Sequence, residues 1–263
     1  MYFSTHFFSR QVLNAFQNQS TNGYGQLFCG LFLTDPTNTG QAGAEVVYEG
    51  YQRQPISFTP PADFNGHLSI SNTQDITWPM SSQSPGSVRY IGIFDRQQPG
   101  DPQGNMLLRG ELTVPLEIRP NQQPGILAGD IIYWSRGNFS RQFRTAYLNL
   151  LRGQSLTGFT THAAMFDGNP ESGGGELSGE NYSRPAITFT APHVVNGVMT
   201  ITNTNTVTFP TPLDRWGMWR YRGFMQAATG AAIAAFDSSP NPEEIHRGYI
   251  GRFAERSIII SHD

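Results

Sequence analysis

The sequence predicts a mostly β protein: two tandem antiparallel β-sandwich domains, each opened by a short N-terminal α-helix. Three observations carry that expectation. The chain matches itself at an offset of 131 residues, short runs of alternating apolar and polar residues recur in both copies, and Pro- or Gly-rich turns separate the runs. Phe8-Ser9-Arg10-Gln11 matches Phe139-Ser140-Arg141-Gln142, and residues 49–79 match 180–210 at 14 of 31 positions with no gap. Past Arg89 and Arg220 the spacing slips to about 126, as the terminal runs show. The split falls near Arg136-Gly137, giving repeats 1–136 and 137–263. At about 130 residues, each repeat is long enough to bury a core of its own.

Each repeat starts with a helix, expected over 9–18 and 140–151. Ser9 and Ser140 suit the N-cap, Gly153 suits a stop, and apolar residues at 12, 13 and 16, and at 143, 147, 150 and 151, form a stripe at helical spacing. Strands follow at 56–58, 68–70, 76–78 and 88–94, then again at 187–189, 199–201, 207–209 and 219–225. Their period of two places one face in a core and leaves the Thr and Ser face wet. Ile131–Trp134 and Ser257–Ile260 close the two repeats as terminal strands.

Composition excludes several classes of function. No run approaches the roughly 18 apolar residues a membrane helix needs, and the first eleven residues lack the features of a secretory signal. All 17 basic residues are Arg and the net charge is −3, so no cationic stripe is available for nucleic acid. Arg without Lys suits protein interfaces, where the guanidinium fork makes several directed bonds. The single cysteine, Cys29, lies in an apolar run and reads as a small core residue.

Catalysis finds no foothold. None of the six histidines recurs at its repeat equivalent; at offset 131, His162 faces Leu31. No zinc-protease, phosphate-loop or nucleophile-elbow motif is present. No cofactor or metal is expected, and a hydrolase would need an acid pair in a cleft. What recurs is Glu45, Tyr51 and Arg53 against Glu176, Tyr182 and Arg184, read as a carboxylate–guanidinium pair that ties a loop to a sheet. Asn72 and Asn203 read as turn residues bonding their own backbone. Trp216, Trp219 and Tyr221 form an aromatic cluster on a strand whose alternation puts one face in the core.

The order of motifs carries a resemblance. The first repeat reads Phe32-Leu33-Thr34-Asp35-Pro36, Glu45-Val46, Gly50-Tyr51-Gln52-Arg53-Gln54, Asn72 to Pro79, Gly92-Ile93-Phe94-Asp95 and Leu108 to Pro115. In order and spacing, over about 120 residues, it resembles a family of tailed-bacteriophage virion structural proteins, often labelled tail-fibre-like. The second repeat departs at Asp167-Gly168-Asn169-Pro170, Met225-Gln226 and Ala234 to Asp237.

The resemblance implies a non-enzymatic virion component of the tail, neck or capsid surface. Such a protein would assemble in the host bacterial cytoplasm, contact other virion proteins and form a homo-oligomer or ring. A glycan- or host-receptor-binding module is the alternative. Four aromatics in the first eight residues, Tyr2, Phe3, Phe7 and Phe8, are the candidate partner contacts. They are expected to act as an arm that docks on a partner or on the neighbouring repeat.

Overall fold

Asn-Gly pairs turn the chain at the same place in both repeats. Asn65 and Gly66 have φ of 49° and 79°, and Asn196 and Gly197 have 51° and 82°. Positive φ at both central residues matches the right-handed twist of the flanking strands, so each pair closes a tight hairpin. In this computed structural model residues 2–40 and 42–262 are described; Met1, Gln41 and Asp263 lie outside them, as do the side chains of Tyr2 and Pro240.

The first repeat opens with β1 (Tyr2–Ser4), α1 (His6–Asn14), β2 (Leu27–Phe32), β3 (Gln54–Ile56), β4 (Ala62–Phe64) and β5 (His67–Ser71). It continues through β6 (Ile76–Thr77), β7 (Gly86–Phe94), β8 (Met106–Ile118), β9 (Gly125–Ile126) and β10 (Ile132–Trp134). The second runs α2 (Arg141–Leu150), β11 (His162–Phe166), β12 (His193–Val195), β13 (Val198–Thr202) and β14 (Val207–Thr208). It ends with β15 (Gly217–Met225), β16 (Ile233–Ile245), β17 (Arg252–Phe253) and β18 (Ile259–His262). Strands hold 40% of the chain and helices 9%, which makes the protein mostly β, as expected.

Topology repeats with the sequence. The order β1-β8-β7-β2-β3 in the first repeat corresponds to β11-β15-β16 in the second, β10-β5-β4 to β12-β13-β18, and β6-β9 to β14-β17. All pairings between these strands are antiparallel. Even the irregularities are copied. Val88 pairs with Leu116 and Tyr90 with Glu111, so 112–115 bulge outward; Trp219 with Glu243 and Tyr221 with Ser238 leave 239–242 bulging at the equivalent point. The second hairpin, which diverges in sequence, keeps its full length.

The helices depart from the sequence expectation. α1 begins at His6, and its N-cap is Thr5, whose hydroxyl accepts the Phe8 N–H at 3.3 Å and donates to the Met106 carbonyl at 2.5 Å. Ser9 is therefore no cap; it is buried inside the helix. Ser140 does cap α2, accepting the Phe143 N–H at 3.1 Å. The true offset between the helices is thus 135, and the Phe-Ser-Arg-Gln identity at 131 aligned different turns. Four residues are close to one helical turn of 3.6, so the apolar stripe nearly superimposes on itself after the slip. A shift smaller by one residue, to 134, moves β11: its His162 takes the place of Phe28, not Leu31.

The offset of 135 gives the pseudo-symmetric arrangement expected of a duplicated chain the form of a local two-fold. α1 packs on β8 of its own repeat and on β13 and β18 of the other, while α2 packs on β16 of its own and on β5 of the other. Each helix start grips the opposite repeat's Asn-Gly hairpin. His6 Nε2 lies 3.0 Å from the Gly197 carbonyl, and Arg141 donates to both Asp63 oxygens at 2.6 and 2.9 Å.

Between the helices, Thr21 and Leu156 exchange both backbone hydrogen bonds at 2.8 Å. Tyr24 N–H donates to the Leu150 carbonyl and Phe159 N–H to that of Ala15, each at 2.9 Å. A Cβ on Gly23 would come within 2.1 Å of Gly153 backbone, and one on Gly158 within 2.4 Å of Gln19 backbone, so only glycine permits this crossing. One buried apolar cluster consequently runs through both repeats, with Phe8, Phe16, Phe139, Phe143 and Tyr147 at its centre.

Asn72 and Asn203 do more than turn their own backbone. Asn72 Nδ2 donates to the carbonyls of Gln74 and Leu127, both at 2.9 Å, and its Oδ1 accepts the Ile131 N–H at 2.9 Å. Asn203 repeats the set with Asn205, Ala254 and Ile258 at 2.7, 2.8 and 2.8 Å. Each buried amide pins the loop that leads into the last strand of its repeat. Asn203→Ala is expected to lower stability by about 2–3 kcal/mol in urea denaturation, because it strands a buried N–H and two carbonyls; a loss under about 0.5 kcal/mol would contradict that role.

Candidate functional site

The repeated Glu–Tyr–Arg set forms one cluster per repeat, and the two are near copies. Arg53 Nε and Nη2 each donate at 2.8 Å to the two oxygens of Glu45, a bidentate pair with side chains 6% and 14% exposed. Tyr51 Oη donates to Glu45 at 3.2 Å and accepts the Leu31 N–H at 2.8 Å, and Arg53 lies 3.4 Å over the Phe94 ring. In the second repeat Arg184 grips Glu176 at 2.7 and 2.5 Å, while Tyr182 donates to Glu176 at 2.8 Å and accepts the Met165 N–H at 3.2 Å. The outer nitrogen caps a carbonyl in each case, that of Arg96 or Ala227.

Gly30 makes room for this cluster, since a Cβ there would lie 2.7 Å from Glu45 Oε1. Burial raises the Tyr51 and Tyr182 hydroxyls far above the usual phenol range, and the Cys29 thiol likewise. The two hydroxyls stay neutral, each donating to its glutamate and accepting a strand N–H. Chemically, the arrangement clamps the segment carrying Glu45 or Glu176 against β2 or β11.

The aromatic N-terminal segment is not a free arm. Residues 2–4 form β1, paired with β8 through Tyr2↔Gly110, Phe3↔Arg109 and Ser4↔Leu108. The Phe3 ring lies 5.4 Å from the Arg109 guanidinium and 4.9 Å from that of Arg136. Phe7 packs against the core, and Phe8 is fully buried beside Tyr24 and His262. Phe8 therefore meets the neighbouring repeat inside the molecule and offers nothing to an outside partner. The Tyr2 side chain lies outside the described residues.

Among the described residues no group of three or more His, Cys, Asp and Glu could hold a metal ion. Five histidines contact carbonyls or rings near the surface. The sixth, His262, is buried where the repeats meet. Its Nδ1 lies 2.9 Å from Ser9 Oγ, and its ring packs edge-on against Tyr147 at 4.9 Å. Burial pushes its pKa down from 6.5 to about 3. The folded state holds His262 neutral while the unfolded chain binds a proton below 6.5, so stability is full above pH 6.5 and falls as the pH drops toward 3. Between pH 6.5 and 3 the loss is expected to approach about 1.4 kcal/mol per pH unit. Denaturation from pH 7 to 4.5 checks this, and an identical slope for His262→Phe would contradict it.

The Trp216–Trp219–Tyr221 cluster belongs mainly to the core: Trp216 donates to the Glu180 carbonyl at 3.1 Å, and both tryptophans are buried. The exposed apolar surface lies elsewhere. On the first repeat the bulge of β8 and the start of the loop after β9 form a groove of about 400 Å³, with Leu112, Leu116 and Ile126 in its wall and Val114 and Leu127 at its rim. Val114 is 77% exposed and Leu127 64%. Ser239, Asn241 and Ala254 take the corresponding positions of the second repeat, so this apolar face is not duplicated. Sequence reasoning passed over it because alternation in Leu108–Pro115 reads as an ordinary half-buried strand.

The family described as Podophage GP4 fiber I protein gp80 matches the chain twice, over residues 3–133 and again over 138–261. No curated protein matches it.

Proposed function

The chain belongs to the podophage GP4 fiber I protein gp80 family and is a structural component of the virion; on that premise, we propose that it is a non-enzymatic assembly unit at the tail, present as a homo-oligomeric set. The double family match over nearly the whole chain carries this reading. What the duplication preserves agrees with it: the Glu–Tyr–Arg clamps, the buried asparagines and the strand bulges all hold the fold together. The domains, 1–136 and 137–263, are proposed to act as one rigid body, because each helix packs on both repeats across a shared core.

The surface proposed to meet another virion protein is the groove rimmed by Val114 and Leu127. An exposed apolar patch is costly to leave in water and marks contact sites. Val114→Asp with Leu127→Ser is expected to leave the isolated chain's stability within about 0.5 kcal/mol, as exposed substitutions do. Its incorporation into particles, measured by quantitative mass spectrometry of purified virions, is expected to fall at least tenfold. Absence of the unaltered chain from purified particles would overturn the assembly role itself, and normal incorporation of the double variant would overturn the groove.

A further inference from the structure

The two repeats differ at two surface features that fit each other. The first repeat carries the groove rimmed by Val114 and Leu127, where the second has Asn241 and Ala254. At the tip of the second repeat the contrast is reversed. There the Gly248 N–H donates to the Pro212 carbonyl at 3.0 Å and joins the two loops that carry Leu213 and Ile250. Leu213 is 49% exposed and Ile250 64%. In the first repeat the Asn121 N–H donates to the Ser81 carbonyl at 2.8 Å in the same way, and the corresponding residues are Ser82 and Gln123. Each repeat therefore shows one apolar feature that its copy lacks: a hollow on the first, a knob on the second.

Charge follows the same division. The charged residue in the lining of the groove is Asp130. Arg247 and Arg252 stand on either side of Ile250 in the chain, and both are exposed. Among the described residues, none of these three has an ion-pair partner. Arginine beside an exposed aliphatic side chain is the composition that protein interfaces favour.

We propose that a second copy of this chain occupies the groove, seating Leu213 and Ile250 of its second repeat between Val114 and Leu127. Its arginines come toward Asp130, so attraction between unlike charges sets the register while the aliphatic side chains leave water. The inference rests on the assembly role proposed above and names the partner at that groove. Neither face complements itself: groove against groove sets Asp130 against Asp130, and knob against knob sets arginine against arginine. The contact is therefore heterologous. Every copy keeps one face of each kind, so the contact propagates from copy to copy and closes into a ring where the rotation allows.

The test uses three full-length chains: the unaltered one, the groove variant Val114→Asp with Leu127→Ser, and a knob variant. The knob variant, Leu213→Ser with Ile250→Gln, gives the second repeat the residues of the first. In sedimentation velocity over a concentration series, the unaltered chain is expected to form species larger than a dimer. Each variant alone should need at least tenfold more protein to associate, with an unchanged unfolding midpoint. Mixed in equal amounts, the two variants share one intact groove and one intact knob, and they are expected to form a 1:1 pair and stop there. An unaltered chain that stays monomeric, a knob variant that associates like the unaltered chain, or a mixture that forms no pair would overturn the proposal. Normal incorporation of the knob variant into particles that exclude the groove variant would assign the groove to a different virion protein; the proposal then falls and the assembly role stands. Failure of the assembly role is read separately, from purified particles that lack the unaltered chain.

Discussion

Arg53→Ala is expected to cost about 3–5 kcal/mol of folding stability, the range seen when one member of a buried ion pair is removed. The physical cause is the stranded partner. Glu45 would remain largely buried with both oxygens stripped of their guanidinium bonds. The Tyr51 hydroxyl would be its only remaining hydrogen-bond donor named in the clamp. The Phe94 ring would lose the cation stacked 3.4 Å above it. Arg53→Met combined with Glu45→Leu removes both charges and fills the space with apolar atoms, so it should cost far less than the sum of the two single changes. Urea denaturation of the three variants makes the comparison. A loss below about 1 kcal/mol for Arg53→Ala would show that the clamp does not hold the sheet.

The second large effect is expected from Phe16→Ala, at about 3–5 kcal/mol, typical for truncating a buried aromatic. Phe16 follows α1 in the first repeat, yet its ring sits among Phe139, Phe143, Phe159 and Phe189 of the second, at 6.0, 5.1, 5.1 and 6.2 Å. Its removal opens a cavity in the core the repeats share. Calorimetry should show one transition lowered by roughly 10 °C, with both repeats unfolding together. A first repeat that keeps its original midpoint while the second melts early would contradict a common folding unit.

The duplication and most of the expected strands were legible in sequence because period-two alternation and Pro- or Gly-rich turns report local geometry directly, although 187–189 forms only an isolated bridge, Phe189↔Asn203. The Glu–Tyr–Arg clamp was legible for a related reason: its three residues recur at fixed spacing, and a carboxylate beside a guanidinium has few uses. Four features escaped. The helix register was misread because Ser9 and Ser140 are both good caps in isolation, and Thr5 wins only through its tertiary bond to the Met106 carbonyl. The packing of each helix on both repeats was invisible because an apolar stripe states that a helix is buried but not against which repeat. His262 and the Val114–Leu127 groove belong to the same class, since both follow from how the repeats and strands meet in space.

On the proposed function, the chain enters the phage particle as one structural body built from two interlocked repeats. Electron cryo-microscopy of intact particles tests it most directly. The expected map contains, in a symmetric set at the tail, a pair of sandwiches related by a local two-fold passing between Thr21 and Leu156, with both helices buried at their junction. Particles lacking that density, or density in which the two repeats stand apart with α1 and α2 on their outer surfaces, would contradict it.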